Sequence, residues 1–152
     1  MYSAKGIAKY VINRCSVHNS PITNLKLQKI LYYIQGYFLK FSGEIAFPDD
    51  IESWRYGPVV PSVYYEYCSY VAQNIKGDYD FDADVTLINK SKSDCRIINR
   101  VVDKCEMYSA IQLVNMTHLE PPWKETGPSK VISEDKLRDY FESANPLGVD
   151  LP

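Results

Sequence analysis

Two histidines, four cysteines and a run of alternating aspartates are the residues of this chain whose types could do chemistry. His18 or His118 with Cys15, Cys68, Cys95 or Cys105 could form a nucleophile–base pair, since such partners meet in space rather than in sequence. No cysteine has a context that marks it as the nucleophile. No pair of residues has metal-ligand spacing such as C-x-x-C or H-E-x-x-H. The stretch D-Y-D-F-D-A-D (78–84) looks like a calcium loop, which needs glycine at its sixth place and glutamate at its twelfth. Counted from Asp78 those places hold Ala83 and Asn89, and from Asp80 they hold Val85 and Ser91, so it reads as a solvated acidic loop. The paired acids Asp49–Asp50 and Glu134–Asp135 stand at a turn and a helix start, where acids are expected anyway. Phosphate-cradling glycine loops and G-x-S-x-G are absent from the sequence. The expectation is a protein that is not an enzyme, with no catalytic residues, no metal and no cofactor, acting by binding.

Two corners are candidates for that binding. E-S-W-R-Y-G-P-V-V-P-S-V-Y (52–64) brings together Trp, Arg and Tyr, the types enriched at binding hot spots. It reads equally as a strand, a reversal and a helix start. T-H-L-E-P-P-W-K (117–124) reads as a helix exit, with His118 near the last carbonyls and Trp123 folded back onto the bundle.

The elements that must position these corners are mainly helical. Ala4, Ala8, Val11 and Cys15 keep one helical face over 3–19, with Ser3 as N-cap and N-S-P as the stop. The second helix is the best marked, capped by Ser20 or Thr23 and ended by Gly43. Leu27, Ile30, Leu31, Ile34, Phe38 and Phe41 recur at helical spacing, and apolar residues on its other faces make it central to a bundle. Gly36 inside it marks the close approach of another helix. A small antiparallel hairpin is expected between helices 2 and 3, with Pro48, Asp49 and Asp50 as turn residues. Gly57 suits a positive φ at the reversal, and Pro61 opens a third helix that runs to about Gln73. Residues 74–93 read as irregular, with one strand at 85–88. Further helices are expected over 94–107, after Ser109 until the prolines at 121 and 122, and after Ser133. The fold class is therefore mainly α (α+β), a compact bundle of about six helices with one hairpin. A single domain spans 1–143, followed by a loose tail, 144–152.

The 152 residues suffice for one domain with a real core. No apolar run approaches the roughly 18 residues of a membrane span, and the N-terminus lacks the features of a secretory signal. A cytoplasmic protein with no membrane partner is expected. The net charge of −2 and the scattered Lys and Arg offer no basic stripe, so no nucleic-acid partner is expected. The separated cysteines suit buried, reduced thiols. Thirteen tyrosines fit core margins or a protein-binding face.

L-K-L-Q-K-I-L-Y-Y-I-Q-G-Y-F-L (25–39), then I-E-S-W-R-Y-G-P-V-V-P-S-V-Y (51–64), then T-H-L-E-P-P-W-K (117–124) together resemble the Panacea antitoxin domain family, which includes GepA-type phage-associated and SocA-like proteins. The third motif departs from the family pattern, with Leu119, Glu120 and Pro121 where relatives often carry polar and small residues. The resemblance covers roughly residues 4–141. It implies a helical domain with a small β element that neutralises a cognate protein toxin by direct binding, within a toxin–antitoxin system of the kind common on prophages. Two alternatives stay open: an adaptor delivering the toxin to a ClpXP-type protease, and a phage-encoded inhibitor of a host protein. Some relatives carry an N-terminal DNA-binding module, for which the start of this sequence leaves no room. Candidate partner contacts are Lys26, Lys29, Tyr33, Tyr37, Trp54, Arg55 and Tyr56. A corner shared by proteins with unrelated partners suits a scaffold, so Gly57, Pro58, Pro61, His118 and Trp123 are expected to be structural.

Overall fold

In a computed structural model, which describes residues 1–77 and 79–151, the chain is mostly helical with a two-stranded antiparallel sheet. The order is α1 (Ala4–Val17), α2 (Asn24–Ser42), β1 (Glu52–Trp54), β2 (Gly57–Val59), α3 (Pro61–Tyr67) with a 3₁₀ turn at Cys68–Tyr70, α4 (Ala83–Lys90), α5 (Lys92–Cys105), α6 (Ala110–His118), α7 (Pro121–Lys124) and α8 (Glu134–Ser143). No helix among the described residues is long and apolar enough to cross a membrane.

The cap chemistry read from the sequence operates. Side-chain oxygens of Ser3, Thr23 and Ser133 each accept a backbone N–H of the first turn, and Ser109 forms a reciprocal capping box with Gln112. Gly43 closes α2 at φ 76. Thr23, rather than Ser20, is the cap of α2.

Helix α2 is the axis of the fold, packed against α1, α3, α5, α6, α8 and β2. Its buried side chains include Leu27, Ile30, Leu31, Ile34 and Phe38, each contributing about 1.5–3 kcal/mol by leaving water. Gly36 is the close approach the sequence suggested: a Cβ there would overlap the Phe141 ring of α8. That ring also meets Tyr32, Tyr33 and Tyr37 edge-on.

Three expectations about the elements are corrected. The 85–88 strand is part of helix α4, which Asp82 caps through Asp84 and Val85 N–H. Val85 and Ile88 are three residues apart and buried, and packing on α1 overrides the β preference of this short apolar run. The third helix stops at Tyr67 rather than Gln73. The chain turns at Val71, φ 55, and returns so that Ile75 N–H donates to the Ile22 carbonyl at 2.8 Å. The hairpin reverses at Arg55–Tyr56, not at 48–50, with Ser53 opposite Pro58 and Trp54 opposite Gly57. Helix α6 ends at His118, ahead of the prolines as expected, and Pro121 and Pro122 then open a further short helix. They occupy the first turn of α7, where a missing N–H costs nothing.

The tail is not loose in its packing. Leu147 and Val149 are buried, Tyr37 Oη donates to Asn145 and accepts from Leu147 N–H, and Lys40 donates to the Phe141 and Ala144 carbonyls. Leu147→Ala is therefore expected to lower unfolding stability by about 2 kcal/mol, the lower end for a buried leucine near a chain end that can relax. Chemical denaturation measures this, and an unchanged midpoint would contradict the packing.

Candidate functional site: an aromatic groove above a buried junction

The three marked sequence stretches meet at one junction, and their polar side chains hold it together. On α2, Gln28 accepts from Val60 N–H and donates to Asn24, which donates to the Tyr64 carbonyl. The next residue, Lys29, donates through Nζ to the Pro58 carbonyl at 3.0 Å. Tyr32 and Tyr33 both donate to Glu120, at 2.8 and 2.7 Å. Gln35 Oε1 accepts from Ala46 and Phe47 N–H while its amide donates to the Phe47 carbonyl. The polar residues of this otherwise apolar helix are thus staples, each tying a loop or a later element to the axis. An unmade bond at such depth would cost about 1–3 kcal/mol.

Burial sets the charge states here. Lys29 is fully buried, which pulls its ammonium down to about 7, and a neutral amine is satisfied by the one carbonyl it meets. Glu120 is pushed up to about 7 by burial, opposed by the hydrogen bonds from Tyr33 and Tyr32. Both are buried, so neither faces a partner.

The 117–124 corner closes the junction from the other side. His118 stacks on Trp123 with ring centroids 4.0 Å apart, and Trp123 Nε1–H donates to the Trp54 carbonyl at 2.8 Å. His118 Nε2 is buried without a hydrogen-bond partner among the described residues. Gly57, at φ 106, fits between Lys29 and Thr117. Pro61 stands at the first turn of α3. Gly57, Pro58, Pro61, His118 and Trp123 are accordingly parts of the junction or its helix start.

The predicted contact face divides. Lys29, Tyr33 and Tyr37 are fully buried inside the bundle and cannot form a surface, which corrects their place among partner contacts. Sequence periodicity could not separate them from surface residues, because Lys and Tyr on a helix are more often outside. Lys26 is half-buried and is not among the residues that line the groove beside the hairpin.

Trp54, Arg55 and Tyr56 do share a surface. They form one side of a groove of about 570 Å³ whose other walls include Leu25, Val59, Tyr64, Val71 and Ala72. The Trp54 and Tyr64 rings pack edge-on at 5.0 Å, and Tyr65 stands against both. Tyr56 is 55% exposed and Val71 80% exposed. Leu25, Val71 and Ala72 lie outside the 52–64 corner and had no signal in the sequence, since they come from α2 and the turn at Val71.

The other reactive residues have structural partners. Of the acidic run, Asp82 pairs with Lys9 at 2.9 Å and caps α4, Asp84 accepts from Ser3, and Asp80 accepts from Asn13. Asp78 lies outside the described residues. Cys15 and Cys105 are buried, whereas Cys68 is exposed and Cys95 half-buried, against the expectation of uniform burial. Cys95 meets Tyr10 and Asn99, and Cys68 donates to the Tyr65 carbonyl. His18, Asp103 and Glu106 bring ligand atoms within 4.8 Å of one another, the arrangement closest to a cation site. Arg14 forks onto both oxygens of Asp103, and that guanidinium opposes a second positive charge there.

A family model described as antitoxin SocA-like, Panacea domain matches residues 27–124, the span that contains the junction and most of the groove. Antitoxin SocA of Caulobacter vibrioides (strain NA1000 / CB15N) is 38% identical over 61 residues, 40% of this chain and 32% of that protein. The similarity thus spans about a third of the relative's length. No solved structure matches the chain.

Proposed function

The chain belongs to the SocA-like, Panacea-domain antitoxin family, and from that premise we propose that it neutralises a protein toxin in the cytoplasm by direct binding through the Trp54–Arg55–Tyr56 groove. The observation that carries the reading is the contrast between junction and groove. Part of each marked motif is consumed in holding the fold, as Lys29, Gly57 and Trp123 are, while Arg55 and Tyr56 of the second motif stay exposed beside Trp54 on a mainly apolar groove. A scaffold of this kind leaves the groove walls free to vary with the toxin. Catalysis is not needed for such an action: covering the toxin's working surface suffices.

Co-expression with the product of the adjacent gene, scored for growth and co-purification, tests the role. The groove is tested by Arg55→Ala and Tyr56→Ala, both at exposed positions, which should keep the wild-type melting temperature. Each is expected to weaken toxin binding about tenfold or more, the effect of losing an interface hot spot. If both variants fold and bind the toxin as well as wild type, the groove is not the contact. Toxin half-life identifies the mode of neutralisation, since sequestration does not shorten it and delivery to a protease does.

A further inference from the structure

The amide, hydroxyl and indole groups of Thr23, Asn24, Gln28 and Trp54 along the groove are engaged within the chain. Thr23 caps α2, Asn24 and Gln28 hold the hairpin and α3, and the Trp54 indole N–H donates to Glu52 at 2.9 Å. Arg55 differs. It is the one charged residue among the described residues that line the groove. Its guanidinium has no carboxylate or carbonyl acceptor among the described residues and only lies against the Tyr56 ring, 5.5 Å from the centroid. Arginine's planar fork of donors matches a carboxylate, and covering such a pair with apolar surface strengthens it.

We infer that the groove receives an apolar segment of the partner protein that carries an aspartate or glutamate side chain paired with Arg55. The charge complementarity is one-sided: Arg55 attracts a carboxylate on a docked segment and repels a lysine or arginine there, which disfavours a basic segment. Arg55 is exposed at the hairpin reversal, not on the groove floor. A carboxylate therefore reaches it from the outer edge of a segment whose apolar face fills the groove, which suits a side chain rather than a buried chain end. The ring of Tyr56 restricts the guanidinium, so less freedom is lost on pairing. This inference rests on the groove being the contact surface and adds the chemistry of what enters it.

The test uses the full chain and random displayed peptides, one library inserted within a loop and one ending in a free carboxyl group. Loop-displayed peptides enriched on the wild type should combine large apolar residues with Asp or Glu. Their binding should fall about tenfold or more on Arg55→Glu, recover partly on Arg55→Lys, and drop on Tyr56→Ala. Selection on Arg55→Glu should favour Lys or Arg at the acidic position. Absence of enriched peptides, enrichment without acidic residues, equal binding to Arg55→Glu, binding indifferent to Tyr56→Ala, or enrichment confined to free carboxyl ends would each overturn it. Since no toxin is used, these results stand apart from the toxin-binding assay: loss of acidic preference refutes the pairing alone, whereas full toxin binding by Arg55→Ala and Tyr56→Ala refutes the groove.

Discussion

Gly57→Ala is expected to destabilise the protein by about 3 kcal/mol, the sum of left-handed backbone strain and overpacking at a site that cannot relax. The backbone stands at φ 106, where a side chain is strained whatever the space. A Cβ would also fall 2.7 Å from Lys29 Cε and 2.8 Å from Thr117 Oγ1. Neither neighbour can swing aside. Lys29 is fully buried with its nitrogen on the Pro58 carbonyl, and Thr117 is fully buried with its hydroxyl donating to the Val114 carbonyl. Gly43→Ala is the control: its φ is 76 but nothing lies within 4 Å, so only the backbone term of about 1 kcal/mol remains. Urea denaturation of both variants separates strain from crowding. Equal losses at the two positions would show that the junction yields to a methyl group.

Stability is expected to pass through a minimum near neutral pH, with Lys29→Met removing the alkaline arm. Lys29 has a folded value of about 7, below its ordinary 10.5, so between these values the unfolded chain holds the extra proton. Stability from this group therefore rises with pH above 7, by about 1.4 kcal/mol per pH unit, and its full cost is present below 7. Glu120 has a folded value of about 7, above its ordinary 4.5, so between these values the folded chain holds the extra proton. Stability from that group falls as pH rises from 4.5 to 7. Lys29→Met should flatten the profile between pH 7 and about 9 and make the variant more stable than wild type at pH 6, where the buried ammonium is charged. Its lost bond to the Pro58 carbonyl costs about 1 kcal/mol at every pH. Melting temperatures across this range decide the matter. Parallel wild-type and Lys29→Met profiles would mean that Lys29 is not the titrating group.

These two residues also show where reading from sequence stopped. Local chemistry was legible because its causes are local. Ser3, Thr23, Ser109 and Ser133 announce helix starts by offering an acceptor to a first-turn N–H. Gly43 announces an end by tolerating a left-handed φ, and the all-round apolarity of α2 announces a central helix. Helix α4 was misread because a short apolar run carries both periods, and only its packing on α1 selects one. The hairpin was expected in the right interval but reversed one turn late in the chain, since Arg55 and Tyr56 carry no turn signature and the pairing of Ser53 with Pro58 is a matter of register.

The site divides in the same way. Trp54, Arg55 and Tyr56 were recognisable as contact-forming types, and Gly57 and Pro58 as backbone punctuation, from residue identity alone. That Lys29, Tyr33 and Tyr37 lie inside could not be read, because burial of a polar side chain depends on an acceptor supplied from far along the chain. Those acceptors are the Pro58 carbonyl, the Glu120 carboxylate and Asn145. Residue types and their spacing thus settled the longer helices, the caps at Ser3, Ser109 and Ser133, and the resemblance to the family. The tertiary structure alone decided which polar residues became internal staples and which exposed aromatics were left to form a groove, because both outcomes arise from contacts between segments distant in sequence.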